Sequence, residues 1–223
     1  MTPLPLFYYS PLSPNARRVW LALLEKGIEF TPVVLQLNGD QRSESFLALN
    51  PFHQVPVWVD GSLRIIESMA ILDYLEVRYP EPALLPRDPA DFARVRMVQM
   101  LVDNKLFKPA TTLLTESPQS LNYAQAEIKL AEVLGFLEEL LTGLEYFGGD
   151  RLSSGDITLG TALHLLPASI PWLESYPWLH QWWQRIQARP RWQQTCLTDE
   201  EIRYFQRRVK LIVKLGQRQM LRS

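Results

Sequence analysis

The residues able to do chemistry fall in four short stretches. The first runs Tyr8-Tyr9-Ser10-Pro11-Leu12-Ser13-Pro14-Asn15-Ala16-Arg17-Arg18. Ser13 stands there before a proline and an apolar series (Ala16, Val19, Trp20, Leu23, Leu24) at helical spacing, the pattern of an N-cap with proline at the first helical position. Capping alone explains Ser13. The same geometry has a chemical use: a helix N-terminus gathers free N–H groups and positive partial charge, and a hydroxyl there can donate to a thiolate and stabilise its charged form. Ser10 repeats the Ser-Pro pattern, and Tyr8 and Tyr9 end the preceding apolar run, so these are rival hydroxyls. Arg17 and Arg18 add positive potential in the first turns, or Arg18 serves instead as an interdomain ion pair. The second stretch is Gln54-Val55-Pro56, where the main chain of Val55 can pair with an extended peptide and Gln54 offers an amide. The third is Glu67-Ser68, a helix start whose serine is an N-cap and whose acid and hydroxyl also suit the zwitterionic end of an amino acid. The fourth is a polar loop in which Gln41 and Arg42 can hold a second carboxylate. In this order the four stretches describe a groove for a short peptide with a thiol in its middle and carboxylates at its ends.

These residues need a scaffold, and the pattern around them supplies one. Leu4 to Tyr9 reads as a strand, Ser13 to Gly27 as a helix with a glycine stop, and Phe30 to Leu37 as a β-branched strand. Val57-Trp58-Val59, the turn pair Asp60-Gly61 and Leu63 to Ile66 form a hairpin, with both turn residues expected at positive φ. Ser68 then caps a helix reaching Tyr79. Strand–helix–strand followed by hairpin–helix is a thioredoxin-like arrangement, in which Val55-Pro56 is expected to be the cis-proline step. The proline-rich Tyr79 to Pro89 reads as a linker, giving an α/β domain over 1–82, a linker at 83–90 and an all-helical domain over 91–223. In the second half, Asp91 to Leu106 is one helix, with a break or kink at Phe107-Lys108-Pro109. Ala124 to Leu144 is another, Ser153-Ser154-Gly155-Asp156 reads as a capping box with Asp in place of Glu, and Glu201 to Leu221 carries an apolar stripe and a basic face.

Composition narrows the function classes. A net charge of −1 supplies no general field for nucleic acid. A single cysteine, Cys196, excludes an intrachain disulfide or a CxxC site, and His53, His164 and His180 lack metal-ligand spacing, so no metal is expected. No apolar run reaches the roughly 18 residues of a membrane span, and the N-terminus does not read as a signal peptide. A cytoplasmic protein is expected.

SPNARRVWLALLEKGIEF, NPFHQVPVWVDG and RIIESMAILDYLEVRYPEP closely resemble the N-terminal domain of glutathione transferases, especially the serine-type, phi-like classes. LSSGDITLG and WLHQWWQRIQARP resemble the family's later helical motifs more loosely. The resemblance implies a thioredoxin-like domain followed by an all-α domain, with glutathione as co-substrate. It puts the thiol-activating serine at Ser13, with Ser10 and Tyr9 as alternatives, and the tripeptide contacts at Gln41, Arg42, Gln54, Val55, Pro56, Glu67 and Ser68. Gln41-Arg42 replaces the His-Lys of the phi-like pattern, and His53 replaces a more usual glycine. The implied reaction is conjugation of the thiolate to a hydrophobic electrophile, with accompanying peroxidase activity, in a detoxifying homodimer. Phe107 and Trp172 are candidate walls of the electrophile pocket, and Asp103 a candidate contact across the two-fold. The rival expectation is a glutathione-fold interaction protein without turnover, acting through its basic C-terminal helix.

Overall fold

The computed structural model describes residues 3–163, 166 and 173–220, the last six by backbone alone. The first half alternates as expected: β1 (Leu6–Tyr9), α1 (Pro14–Lys26), β2 (Thr31–Val34), α2 (Glu44–Leu49), β3 (Val57–Asp60), β4 (Leu63–Ile66) and α3 (Ser68–Arg78). The sheet order is β2-β1-β3-β4, with β1 parallel to β2 and antiparallel to β3. Alternation along β1 decides its two faces. Phe7 and Tyr9 point into a buried cluster with Trp20, Phe30 and Trp58, and the Phe7 and Tyr9 rings stack at 4.7 Å. Tyr8 points the other way, toward Phe46 of α2.

Local chemistry sets most boundaries. The Ala16 N–H donates to Ser13 Oγ at 3.3 Å, and Gly27 ends α1 at φ +64, where its N–H reaches the last carbonyls. The hairpin closes one residue later than its sequence suggests. Asp60 stays in β3 opposite Leu63, the loop is Gly61-Ser62, and Gly61 alone of the Asp-Gly pair takes positive φ. Ser43 caps the short helix α2 by accepting from the Phe46 N–H. Ser68 is not the cap of α3 but its first residue. Glu67 holds the cap position at φ +67 without a side-chain capping bond.

The second half is helical: α4 (Pro89–Leu101), α5 (Phe107–Thr115), α6 (Leu121–Leu141), α7 (Ser154–Leu163), α8 (Pro177–Gln187), α9 (Pro190–Gln194) and α10 (Asp199–Met220). The break expected at Pro109 does not occur. A π-turn over Val102–Leu106 joins α4 to α5 ahead of Phe107, and α5 runs on through Pro109. Helix α7 is buried along its whole length. Its start is the expected capping box: the Ser153 N–H donates to Asp156 at 2.8 Å, and the Asp156 N–H returns to Ser153 Oγ at 3.4 Å. Asp156 also accepts from the Phe147 N–H and Trp182 Nε1, tying three segments to one carboxylate. Burial raises the Asp156 pKa, against the opposing pull of its hydrogen bonds.

Ion pairs join the two halves. Within the first half, Lys26 meets Glu76 at 2.7 Å and donates to the carbonyls of Tyr79 and Pro82, while Glu76 accepts from the Leu84 and Leu85 N–H groups, pinning the proline-rich segment. Arg189 grips Glu25 of α1 through two nitrogens. Arg18 of α1, fully buried, pairs with Asp103 in the π-turn at 2.9 Å, so the interdomain role expected of Arg18 is the one it takes. Asp103 is thereby engaged within its own chain.

Candidate functional site

Sheet register gathers the candidate residues. Tyr8 lies opposite Val57, Val57 opposite Ile66, and Tyr9 opposite Val34. The end of β1, the start of β3, the end of β4 and the end of β2 therefore share one edge of the sheet. Four connections leave that edge: the Ser10–Ser13 loop, the Gln54-Val55-Pro56 approach, the Glu67-Ser68 helix start and the loop carrying Gln41 and Arg42. Residues up to 58 positions apart in sequence converge by topology alone.

At the first connection Ser13 is half-buried, and its oxygen accepts from Ala16 at 3.3 Å. Among the described residues its O–H donates to no partner and can point outward, beside the helix end that concentrates positive partial charge. The Ser13 carbonyl accepts from the Arg17 N–H at 2.8 Å, fixing the serine to the first turn. The rival hydroxyls are placed differently. Ser10 is buried, at 1% exposure, and its carbonyl accepts from the Ser13 N–H. Tyr9 is stacked in the core, where burial pushes its phenol above the ordinary pKa.

At the second connection Val55–Pro56 is cis, and Val55 stands outside strand β3, so its main chain is not taken up by the ladder. Gln54 is exposed beside it. His53 occupies the left-handed region at φ +58, where glycine is favoured over any residue with a Cβ. Asn50 shapes the approach: its Nδ2 donates to the Gln54 carbonyl at 2.8 Å, and its Oδ1 accepts from the Phe52 N–H. At the third, Glu67 is exposed at φ +67 and ψ 115, a conformation disfavoured for a residue with a side chain and held by the strand before and the helix after. Ser68, 7% exposed, sits beside the free N–H groups of α3. At the fourth, Arg42 is exposed and Gln41 accepts from the Gly39 N–H.

The loop holding Gln41 and Arg42 depends on residues that sequence reasoning passed over. The Asp40 carboxylate accepts from the N–H groups of Gln36, Leu37 and Gln41 and so closes the loop on itself. Arg208 of α10 donates to the carbonyls of Gln36 and Leu37, anchoring the C-terminal helix to the same loop. An Asx turn at Asn50-Pro51-Phe52 was readable from residue type. Nothing local to Arg208 announces a partner 171 residues away.

Of the proposed pocket walls, Phe107 is half-buried under the Arg18 guanidinium, at 5.6 Å from ring centroid to Cζ. Trp172 lies outside the described residues. No group of three or more His, Cys, Asp or Glu suited to a metal ion occurs among the described residues, and none of their helices is long and apolar enough to cross a membrane.

Comparison with known proteins identifies the family. Residues 7–83 match the model of the glutathione S-transferase N-terminal domain, and residues 102–190 match that of the C-terminal domain. A glutathione S-transferase of Hyoscyamus muticus is 34% identical over 197 residues, covering 81% of this chain and 92% of its own. Glutathione S-transferase 3 of Zea mays is 34% identical over 211 residues, covering 87% and 94%. The crystal structure of a theta class glutathione S-transferase from Xanthomonas axonopodis pv. citri, with glutathione bound, superposes with a TM-score of 0.74 at 27% identity, covering 88% of this chain and 98% of that one. With a four-stranded mixed sheet leading into a helical half and both domain models matched, the chain belongs to the glutathione S-transferase family.

Proposed function

We propose that the chain is a glutathione transferase in which Ser13 holds the thiolate of glutathione for attack on small hydrophobic electrophiles. The observation that carries this is the placement of Ser13 at the N-terminus of α1, its O–H donating to no partner among the described residues, on the sheet edge that also presents Val55-Pro56 and Glu67-Ser68. The tripeptide lies along that edge. Its ammonium meets Glu67, its α-carboxylate meets Ser68 and the start of α3, its middle residue pairs with the main chain of Val55 beside Gln54, and its terminal carboxylate reaches Gln41 and Arg42. Ser13 O–H donates to the sulfur, which favours thiolate, the nucleophilic form. The sulfur lone pair then forms the new C–S bond while the electrophile's leaving group, or its π-electron pair, departs from the attacked carbon. Holding both reactants together supplies much of the rate.

The electrophile enters between a glutathione-binding unit of residues 1–82 and a helical unit of residues 91–223, with Phe107 among its walls. Peroxidase turnover accompanies transfer where the electrophile is a hydroperoxide. The working form is a cytoplasmic homodimer serving detoxification. Supporting the dimer, Phe52 is 62% exposed, and Met97, Met100 and Phe136 line an open hollow of about 240 Å³. The family relationship and the bound glutathione of the Xanthomonas enzyme support the co-substrate.

A second reading rests on α10, which exposes Leu211 and Ile212 beside Lys210 and Lys214. It makes the chain a glutathione-binding interaction protein without turnover. Retention on immobilised glutathione together with turnover of a generic aryl halide or isothiocyanate supports the transferase. Retention with no turnover of either favours the second reading, and failure to be retained removes both.

A further inference from the structure

Away from the sheet edge, α1 buries a second arginine in an unusual setting. Arg17 is 2% exposed, yet among the described residues no carboxylate pairs with it. Its Cζ lies 4.3 Å from the centroid of the Trp192 ring, and its Nε donates to Thr195 Oγ1 at 3.3 Å. Its Nη2 reaches the sulfur of Cys196 at 3.8 Å, and its Nη1 is buried without a hydrogen-bond partner. Cys196, by contrast, is solvent-exposed. One side of the sulfur thus faces water and the other a buried guanidinium short of an anion. Desolvation pulls the Arg17 pKa down to about 10, and Cys196 pulls it back upward, so the arginine stays charged at neutral pH.

We infer that Cys196 is an oxidative modification site, at which Arg17 stabilises the sulfenate, and which a hydroperoxide and a low-molecular-weight thiol together convert to a mixed disulfide. Arg17 Nη2, already 3.8 Å from the sulfur, is a donor placed to serve an added sulfur-bound oxygen. In the first step the thiolate lone pair attacks the hydroxyl oxygen of the hydroperoxide. The O–O bond breaks, an S–O bond forms, sulfur is oxidised by two electrons, and the departing alkoxide takes a proton from water. In the second step a free thiolate attacks the sulfenic sulfur. An S–S bond forms, the S–O bond breaks, and hydroxide leaves to be protonated to water. The site is separate from the one at Ser13 and needs none of its chemistry, although the Arg17 N–H is bonded to the Ser13 carbonyl.

Because Cys196 is the only cysteine in the sequence, any thiol-directed label reports on it alone. The full chain, treated with cumene hydroperoxide in the presence of dimedone, is expected to carry one adduct on the Cys196 peptide. In Arg17→Met the labelling rate should fall at least tenfold, with Arg17→Lys recovering much of it. Equal rates in wild type and Arg17→Met overturn the inference. If Arg17→Met does not fold, the wild-type protein answers by itself: native Cys196 should react with the hydroperoxide several-fold faster than the same cysteine in urea-unfolded chain. An equal or slower native rate overturns the inference.

Discussion

Asp103→Asn tests the interdomain contact most sharply, because it removes one charge from a pair whose other member cannot reach water. The Arg18 side chain is fully buried, and that of Asp103 is 30% exposed. Arg18 Nη1 donates to both carboxylate oxygens at 2.9 and 3.2 Å, while its Nε and Nη2 are buried without hydrogen-bond partners. Burial lowers the Arg18 pKa and Asp103 opposes that shift, so the carboxylate is what keeps the guanidinium tolerable. Breaking a fully buried pair costs roughly 3–5 kcal/mol, and the partial exposure of Asp103 brings this one below that range, to about 2–3 kcal/mol. Arg18→Met loses the pair and the contact with Phe107 but also removes the orphaned donors, so it should cost only about 1 kcal/mol. In that background Asp103→Asn has no charge left to strand and should add about 0.5 kcal/mol or less, a coupling near 2 kcal/mol across the cycle. Urea unfolding followed in parallel by tryptophan fluorescence and circular dichroism, at one protein concentration, measures all four variants. Two results refute the reasoning: a cost for Asp103→Asn under about 0.5 kcal/mol, or the same cost with and without Arg18.

Other outcomes follow from single side chains. Asp156→Ala strands the Phe147 and Ser153 N–H groups and Trp182 Nε1, and should lower stability by about 4 kcal/mol in the same urea assay, with Asp156→Asn losing less. His53→Gly releases a left-handed residue at φ +58 and should raise stability by about 0.5–1 kcal/mol, read as a shift in the urea midpoint. Tyr9 has a folded pKa raised by burial, so the unfolded chain loses that proton first, near pH 10, and native stability falls as pH climbs toward the folded value. Tyr9→Phe should therefore gain on wild type above about pH 10 while leaving glutathione turnover at neutral pH within about twofold.

Much of the fold was legible because its punctuation is local. Ser13-Pro14, Gly27, the Ser153–Asp156 box and the paired runs around Gly61 each state their conformation within a few residues. The capping box and the Arg18 ion pair took the roles expected of them. Features set by competition between distant parts were harder to read. Helix α2 is only six residues long and offers little periodicity. The break or kink expected at Phe107-Lys108-Pro109 lies instead upstream, in a π-turn over Val102–Leu106 that the residue pattern does not reveal. Ser68 had the residue type of a cap, but the strain accepted at Glu67 moved the helix start by one. In the site, residue types pointed to the sheet-edge loops, whose convergence is a matter of register. The residues that brace those loops, Asp40, Asn50 and Arg208, were missed, since their work is hydrogen bonding to main chain and not chemistry.

Ser13 is the group proposed to hold the thiolate. Ser13→Ala leaves the tripeptide contacts in place, so the affinity for glutathione should change by no more than about twofold, while the loss of one donor to the sulfur slows turnover at least tenfold. The direct measurement is the pH dependence of thiolate absorbance for glutathione bound to wild type and to Ser13→Ala. A thiol pKa displaced upward in the variant, with a matching shift in the pH–rate profile, is the predicted result. A titration and profile identical to wild type contradict it.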